Sequence, residues 1–241
     1  MKKSEAIKQI NPLFLKGICH RGLHNKEFTE NGLNAFKNAI ENNMAFELDV
    51  HLTKDNEIVV FHDSDTKRIT NKEGIIEELT LKEIKENYKL GDGSTIPTLK
   101  EVFELNNERV PIVVELKVYK GNYKELGKQV KEVLKIIKDE KNIVLIAFDP
   151  RVLFLFNKEG FIRQLLVGKK TDYTYIFRHF FEGIDVEHIM LQEKRIQRYS
   201  KNHFVNTWTI ENEEQLKKAR PYIDTATFQY MDLDVIKESF K

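Results

Sequence analysis

Two carboxylates and a histidine crowd the segment 45–63, AFELDVHLTKDNEIVVFHD, in a spacing that a merely structural hairpin has no reason to collect. In its first half Phe46, Leu48, Val50 and Leu52 alternate with Glu47, Asp49 and His51, so a strand carries the apolar set on one face and the ionisable set on the other. Lys54-Asp55-Asn56 reads as a turn, and 58–61 as a returning strand that ends at His62. With Val50 opposite Val60, His62 falls opposite Leu48, between the levels of Glu47 and Asp49. Two other places carry matching chemistry: His20-Arg21 ends a short apolar run, and Glu115 and Lys117 share one face of a strand over 112–117. Carboxylate oxygens without competing thiolates suit a hard divalent cation such as Mg²⁺ or Ca²⁺. Arg21 and Lys117 beside it call for an anionic substrate, with phosphate the obvious candidate. Two histidines, with reference pKa values near about 6.5, can act as general base and general acid. Together these seven residues describe metal-assisted phosphoryl transfer.

Each residue alone has an ordinary reading. An alternating Glu/Asp strand is usually a solvated face, and Glu115–Lys117 could be a surface ion pair contributing about 0–1 kcal/mol. His62-Asp63 could be a plain turn. His51 reads as structural, because it lies further toward the hairpin turn. The functional reading comes from the coincidence of all seven at three strand ends.

Which elements could bring them together? The run 17–19 is a first strand, and 31–43 a helix with Leu33, Phe36, Ala39 and Ile40 on one side and Asn31 as N-cap. The hairpin follows, then a polar insertion over 64–95 with one helix at 80–88, where Thr80 and Glu83 form a capping box. Further helices are predicted at 98–105, 123–138, from 149, at 173–181, 193–201 and 211–220. Further strands are predicted at 112–117, 143–148, 163–167, 186–191, 204–208 and 223–228. Setting the return arm aside leaves eight strands in alternation with helices. That pattern argues a (β/α)8 TIM barrel, an α/β fold, with a small insertion after the second strand. An open doubly wound sheet is the alternative, but Gly17 and Gly22 do not supply its Gly-rich first turn.

Composition narrows the partners. The 241 residues suit one such domain over 1–241. A net charge of +1 with interspersed signs offers no footprint for nucleic acid, and the single cysteine, Cys19, allows no disulfide framework. No apolar run approaches the roughly 20 residues of a membrane span, so a cytoplasmic protein without an integral membrane segment is expected, its oligomeric state left open.

The motifs His20-Arg21-Gly22, Glu30-Asn31, Glu47-Leu48-Asp49-Val50, Thr53-Lys54-Asp55, His62-Asp63, Ile96-Pro97-Thr98-Leu99, Glu115-Leu116-Lys117, Phe148-Asp149 and Trp208-Thr209 resemble the glycerophosphodiester phosphodiesterase family, in its order. The resemblance implies a barrel with an insertion after strand two, one divalent cation on Glu47, Asp49 and Glu115, and an acid/base pair of His20 and His62. It further implies phosphate contacts from Arg21 and Lys117, and a pocket wall from Phe148 and Trp208. The implied reaction is hydrolysis of a small glycerophosphodiester to sn-glycerol 3-phosphate and an alcohol, the attacker being water or the neighbouring glycerol hydroxyl. Thr29, Gly32 and Ala147 depart from the family pattern, and Thr227-Phe228-Gln229 stands where a Thr-Asp-x-Pro run is usual. Two alternatives stay open: a phospholipase D-like enzyme for lysophospholipids or sphingolipids, with a mouth built from the aromatics at 154–181, and a non-catalytic phosphate-ligand binder.

Overall fold

The computed structural model describes residues 1–241. Nine strands form one sheet: β1 (Ile18–Cys19), β2 (Ala45–Leu52), β3 (Ile58–Val60), β4 (Ile112–Leu116), β5 (Ile143–Ala147), β6 (Ile162–Val167), β7 (Gly183–Glu187), β8 (Phe204–Trp208) and β9 (Thr227–Phe228). Eight of them pair in parallel in the order β8-β7-β6-β5-β4-β2-β1-β9, while β3 pairs antiparallel with β2. The ring closes through one parallel bridge: the Ile210 N–H donates to the Thr227 carbonyl at 3.0 Å, and the Gln229 N–H to the Ile210 carbonyl at 3.0 Å. The result is a nearly closed eight-stranded barrel, not an open doubly wound sheet. Val50 pairs with Val60, the register expected from the alternation.

Alternation sorts each strand into two environments. Phe46, Leu48 and Val50 of β2, Ile112, Val114 and Leu116 of β4, and Ile184 and Val186 of β7 point outward into a large core shared with the surrounding helices. The inward positions form a second core at the lower end, where Ile18, Ala45, Val113, Val144, Ile162 and Phe204 meet Ala6, Ile10 and Phe14. The residues before β1 therefore have a structural role. A helix at Lys3–Lys8 and a 3₁₀ turn at Pro12–Lys16 lay their apolar side across the barrel floor, and Thr225 Oγ1 donates to the Phe14 carbonyl at 2.5 Å. Above this floor the inward positions of β2 and β4 turn polar, while β5 and β6 keep Ile146 and Leu166.

Several expected boundaries move. The seventh strand is Gly183–Glu187, not 186–191; the apolar 189–191 run belongs to a 3₁₀ turn at His188–Gln192. Gly183 opens the strand because a Cβ there would lie 2.7 Å from the Phe204 carbonyl oxygen. The last strand shrinks from 223–228 to Thr227–Phe228, and 173–181 is part of a 3₁₀ stretch, Lys169–Phe180. The 123–138 helix stops at Leu134. Asn31 is not an N-cap: Gly32 precedes the helix Leu33–Glu41 with no side-chain cap, because the Asn31 amide is committed to Asp49. A final helix, Leu233–Ser239, was not anticipated; its Ile236 packs so closely on Gly17 that a Cβ there would sit 2.6 Å away.

The insertion has a core of its own, Ile76, Ile84, Tyr88, Leu90 and Ile96 packing on Val59 and Phe61 of the hairpin arm. One polar clamp joins it to the barrel. His51 bonds Glu77 Oε1 through Nδ1 at 2.6 Å and the His62 carbonyl through Nε2 at 3.0 Å. His51 thus ties the insertion to the residue at the end of the return arm, in keeping with a structural role.

Two measurements probe this arrangement. Phe14→Ala should lower unfolding stability by about 3–5 kcal/mol in urea titration, because a fully buried ring leaves a cavity; a loss under about 1 kcal/mol would show the floor is not packed as described. His51→Ala leaves the buried Glu77 carboxylate with only the Ser64 hydroxyl as a donor, at 3.3 Å, and should cost about 2–4 kcal/mol. Hydrogen exchange should then rise across 62–79, while unchanged protection there would refute the clamp.

Candidate active site

Parallel pairing of β2 with β4 sets Asp49 beside Glu115, and the two-residue period adds Glu47 on the same inward face. Their oxygens lie within 4.8 Å of one another, and all three residues are buried. Three carboxylates at that spacing repel, and the chain answers with cations and donors from the loop after β1 and the end of β4. Lys117 Nζ lies 3.0 Å from Asp49 Oδ1 and 2.8 Å from Glu115 Oε1. The Arg21 backbone N–H donates to Glu47 Oε2 at 2.9 Å, and its guanidinium Nε lies 3.5 Å from Asp49 Oδ2. Asn31 Nδ2 donates to Asp49 Oδ2 at 2.9 Å. Arg21 and Asn31 both adopt left-handed backbone, with φ of +54° and +57°. Arginine rarely does so, and here that conformation turns its N–H toward Glu47.

The electrostatics follow this layout. Burial, then Asp49 and Glu115, push the Glu47 carboxyl well above the usual carboxylate range. Burial raises Glu115 as well, with Lys117 opposing. Burial acts the same way on Asp49, yet Lys117, His62, Arg21 and the Asn31 hydrogen bond together hold it below its ordinary value. For Lys117 burial disfavours the charge, but Asp49 and Glu115 outweigh it and raise the ammonium. Such a cluster suits a divalent cation: oxygens about 3–5 Å apart can share one ion at ordinary bond lengths, and the ion would offset the repulsion that leaves Glu47 reluctant to ionise.

The two histidines come from opposite directions. His62 follows β3, its Nδ1 2.6 Å from Asp63 Oδ1. Arg68 Nε holds Asp63 Oδ2 at 2.5 Å while Arg68 Nη1 and Nη2 grip Glu30 at 3.0 and 2.7 Å. Glu30 also accepts from Arg21 Nη1 at 2.6 Å, so one chain of ion pairs runs from His62 to Arg21. Burial works against the Glu30 charge, but Arg68 and Arg21 hold its carboxyl down at about 2. His20 follows β1, its Nδ1 2.7 Å from Gln229 Oε1; Gln229 Nε2 donates to Glu211 Oε1 at 2.6 Å, which fixes the amide's orientation. Burial, then Arg21, lower His20 to about 3. Burial lowers His62 as well, with Asp49 and Asp63 opposing.

A single pocket at the C-terminal rim is lined by His20, Arg21, Glu47, His62, Glu115 and Lys117, with Ile146, Phe148, Leu166 and Trp208 as an apolar side. Phe148 and Trp208 meet edge to face, centroids 5.7 Å apart. Asp49 lies beneath, bonded to Lys117. Every site residue expected from sequence therefore falls within this one cluster. Sequence reasoning missed four that shape it. Gln229 lay in a run noted only as atypical, Asn31 was assigned to a cap, and Arg68 sat in an insertion without a motif. Asp185, which also lines the pocket, was hidden by the misplaced seventh strand.

Known proteins place this geometry in a group. Residues 20–228 match the model of the glycerophosphoryl diester phosphodiesterase family. A glycerophosphodiester phosphodiesterase of Caldanaerobacter subterraneus is 40% identical over 144 residues, 55% of this chain, and the match spans 57% of that protein's length. A mouse lysophospholipase D is 31% identical over 217 residues, covering 79% of this chain and 67% of that protein. In fold, the chain superposes with a TM-score of 0.82 on an Oleispira antarctica phosphodiesterase solved with the product sn-glycerol-3-phosphate, at 24% identity and covering 97% of this chain and 98% of that one. With a family match over residues 20–228 and a barrel that carries its acids, cations and histidines on one rim, this chain belongs to the glycerophosphoryl diester phosphodiesterase family.

Proposed function

We propose that this protein hydrolyses glycerophosphodiesters to sn-glycerol 3-phosphate and an alcohol. The observation that carries the reading is the single pocket lined at once by His20, His62, Arg21, Lys117, Glu47 and Glu115. Glu47, Asp49 and Glu115 hold one divalent cation, Mg²⁺ or Ca²⁺, which when bound withdraws charge from the phosphate oxygens. Arg21 and Lys117 draw the anionic phosphate to the rim, and Phe148 and Trp208 pack against the organic part.

Both histidines donate Nδ1–H, His20 to the Gln229 amide oxygen and His62 to the Asp63 carboxylate, leaving each Nε2 for the substrate. The two partners differ in charge, and this difference assigns the roles. A neutral amide behind His20 keeps its imidazole a proton acceptor, so His20 takes the proton from the attacking oxygen. A carboxylate behind His62 stabilises the imidazolium, so His62 gives its proton to the departing alcohol oxygen as the P–O bond breaks. The attacker is water or the adjacent glycerol hydroxyl; a transient cyclic phosphate in a phosphorus NMR time course marks the second route.

A second reading shares the chemistry and differs in the alcohol. The aromatics at 154–181 divide: Phe156, Tyr175 and Phe181 are buried, but Tyr173 and Phe180 are 73% and 61% exposed, as is Ile176 at 68%. They lie on the 3₁₀ stretch that follows Gly168, itself beside Trp208. Phe180 lies at the far end of that stretch, against Phe154 and just before β7, so only its beginning, after Gly168, adjoins the pocket; an apolar mouth there suits a lysophospholipid, and one relative carries the name lysophospholipase D.

Three tests follow. EDTA should abolish release of glycerol 3-phosphate and added Mg²⁺ or Ca²⁺ restore it; activity indifferent to chelation rules out the cation role. His20→Ala and His62→Ala should each cost about 10²–10⁴-fold in kcat on glycerophosphocholine. On a 4-nitrophenyl diester, whose leaving group needs no proton, His62→Ala should recover most of its loss and His20→Ala should not; the reverse pattern swaps the roles, and full activity in both variants sinks the mechanism. Turnover of glycerophosphocholine against lysophosphatidylcholine separates the two readings, the first requiring the former to be preferred.

A further inference from the structure

The wall of the pocket across from the carboxylate cluster comes from β7, β8 and β9, and it contains a braced pair of oxygens that the proposed chemistry does not use. Asp185 is 1% exposed and lines the pocket. Its Oδ2 accepts from Asn206 Nδ2 at 2.9 Å, whereas its buried Oδ1 has no partner. Asn206 Nδ2 also donates to Thr227 Oγ1 at 3.1 Å, and Asn206 Oδ1 accepts the Thr207 backbone N–H at 2.8 Å, so turning the amide over would set its NH2 group against that N–H. The register of β6, β7 and β8 aligns Leu166, Asp185 and Asn206 on the inner face. Asp185 is not among the three acids whose oxygens cluster within 4.8 Å. A buried polar atom without a partner is expensive, and in a pocket wall the natural explanation is a ligand group that supplies the bond.

The chemistry of that group can be narrowed. Burial, then Glu115, push the Asp185 carboxyl well above its ordinary range. Ile146, Leu166 and Trp208 flank the opening, leaving room for a small, largely uncharged group. A hydroxyl fits either state of the acid, since it can donate to a carboxylate oxygen or accept from a carboxylic acid, and Thr227 supplies a second hydroxyl beside it. We infer that Asp185 and Thr227, braced by Asn206, form a subsite for the hydroxyls of a small polyol. On the proposed function, on which this inference rests, the polyol is the glycerol half of the substrate, and the subsite is what makes the enzyme choose glycerol diesters over other phosphodiesters.

Calorimetric binding of two product-like ligands, sn-glycerol 3-phosphate and n-propyl phosphate, in the presence of Ca²⁺ tests this without depending on which oxygen attacks. The wild-type protein should prefer glycerol 3-phosphate by about 10- to 100-fold, the scale for losing hydrogen bonds to a buried polar site. Asp185→Leu should bring the ratio close to one, Asp185→Asn should keep part of it, and Thr227→Val should reduce it, with circular dichroism confirming that each variant folds. Equal wild-type affinity for both ligands overturns the subsite while leaving the phosphate site intact. If neither ligand binds, the phosphate reading itself falls and the subsite with it. A loss of Ca²⁺ affinity in Asp185→Asn would make Asp185 a metal ligand, and weaker binding of choline phosphate alone would assign its oxygen to the alcohol half; either result refutes the inference.

Discussion

Crowding three carboxylates inside a barrel mouth is the constraint that the upper half of this molecule is built to satisfy. Glu47, Asp49 and Glu115 lie out of water within 4.8 Å of each other, where mutual repulsion and desolvation both oppose ionisation. No single partner offsets this. Lys117 comes up the same strand as Glu115, and Arg21 arrives in left-handed backbone so that both its N–H and its guanidinium reach the cluster. Asn31 abandons the helix it precedes to bond Asp49. Each of these is a local departure from the most stable choice for its own segment, retained because the cluster needs it.

The barrel separates this expense from its stability. Below the acids the inward positions are mainly apolar, with Phe14, Ile10 and Ala6 covering the floor, and the outward positions pack against the helices. The charged layer sits on a well-packed one that does not depend on it, which is how such barrels commonly divide stability from function. The insertion is likewise anchored by its own small core, so the His51–Glu77 clamp holds the hairpin end against something rigid.

The two histidines show how far the site depends on long-range structure. One is backed by its sequence neighbour Asp63, which is then gripped by Arg68 from the insertion, and Arg68 also reaches Glu30 in the loop after β1. The other is backed by Gln229, 209 residues away in the chain, through a bond that exists only because β9 closes the ring beside β1. In the proposed mechanism the difference between an amide and a carboxylate behind these rings separates acid from base.

Much of this was legible in the chain. Alternation in β2 and β4 identified which residues point inward, because a strand's period of two admits no other reading once one face is apolar. The turn and the apolar pairing set the hairpin register, and the absence of thiolates made oxygen chemistry the sensible expectation. Tertiary structure decided the rest. Whether Asp49 sits beside Glu115 depends on parallel register across a helical crossover, which no local pattern encodes. Asp185 was invisible because 186–191 is more apolar than 183–187, and only the approach of Phe204 to Gly183 shows where β7 begins. Asn31 looked like a cap because its type suits one; its partner lies 18 residues on, across the barrel rim. Residue types and periodicity determined which groups could do chemistry, and the closure of the sheet decided which of them meet, because local propensity acts over a few residues while the site is assembled from strand ends far apart in the chain.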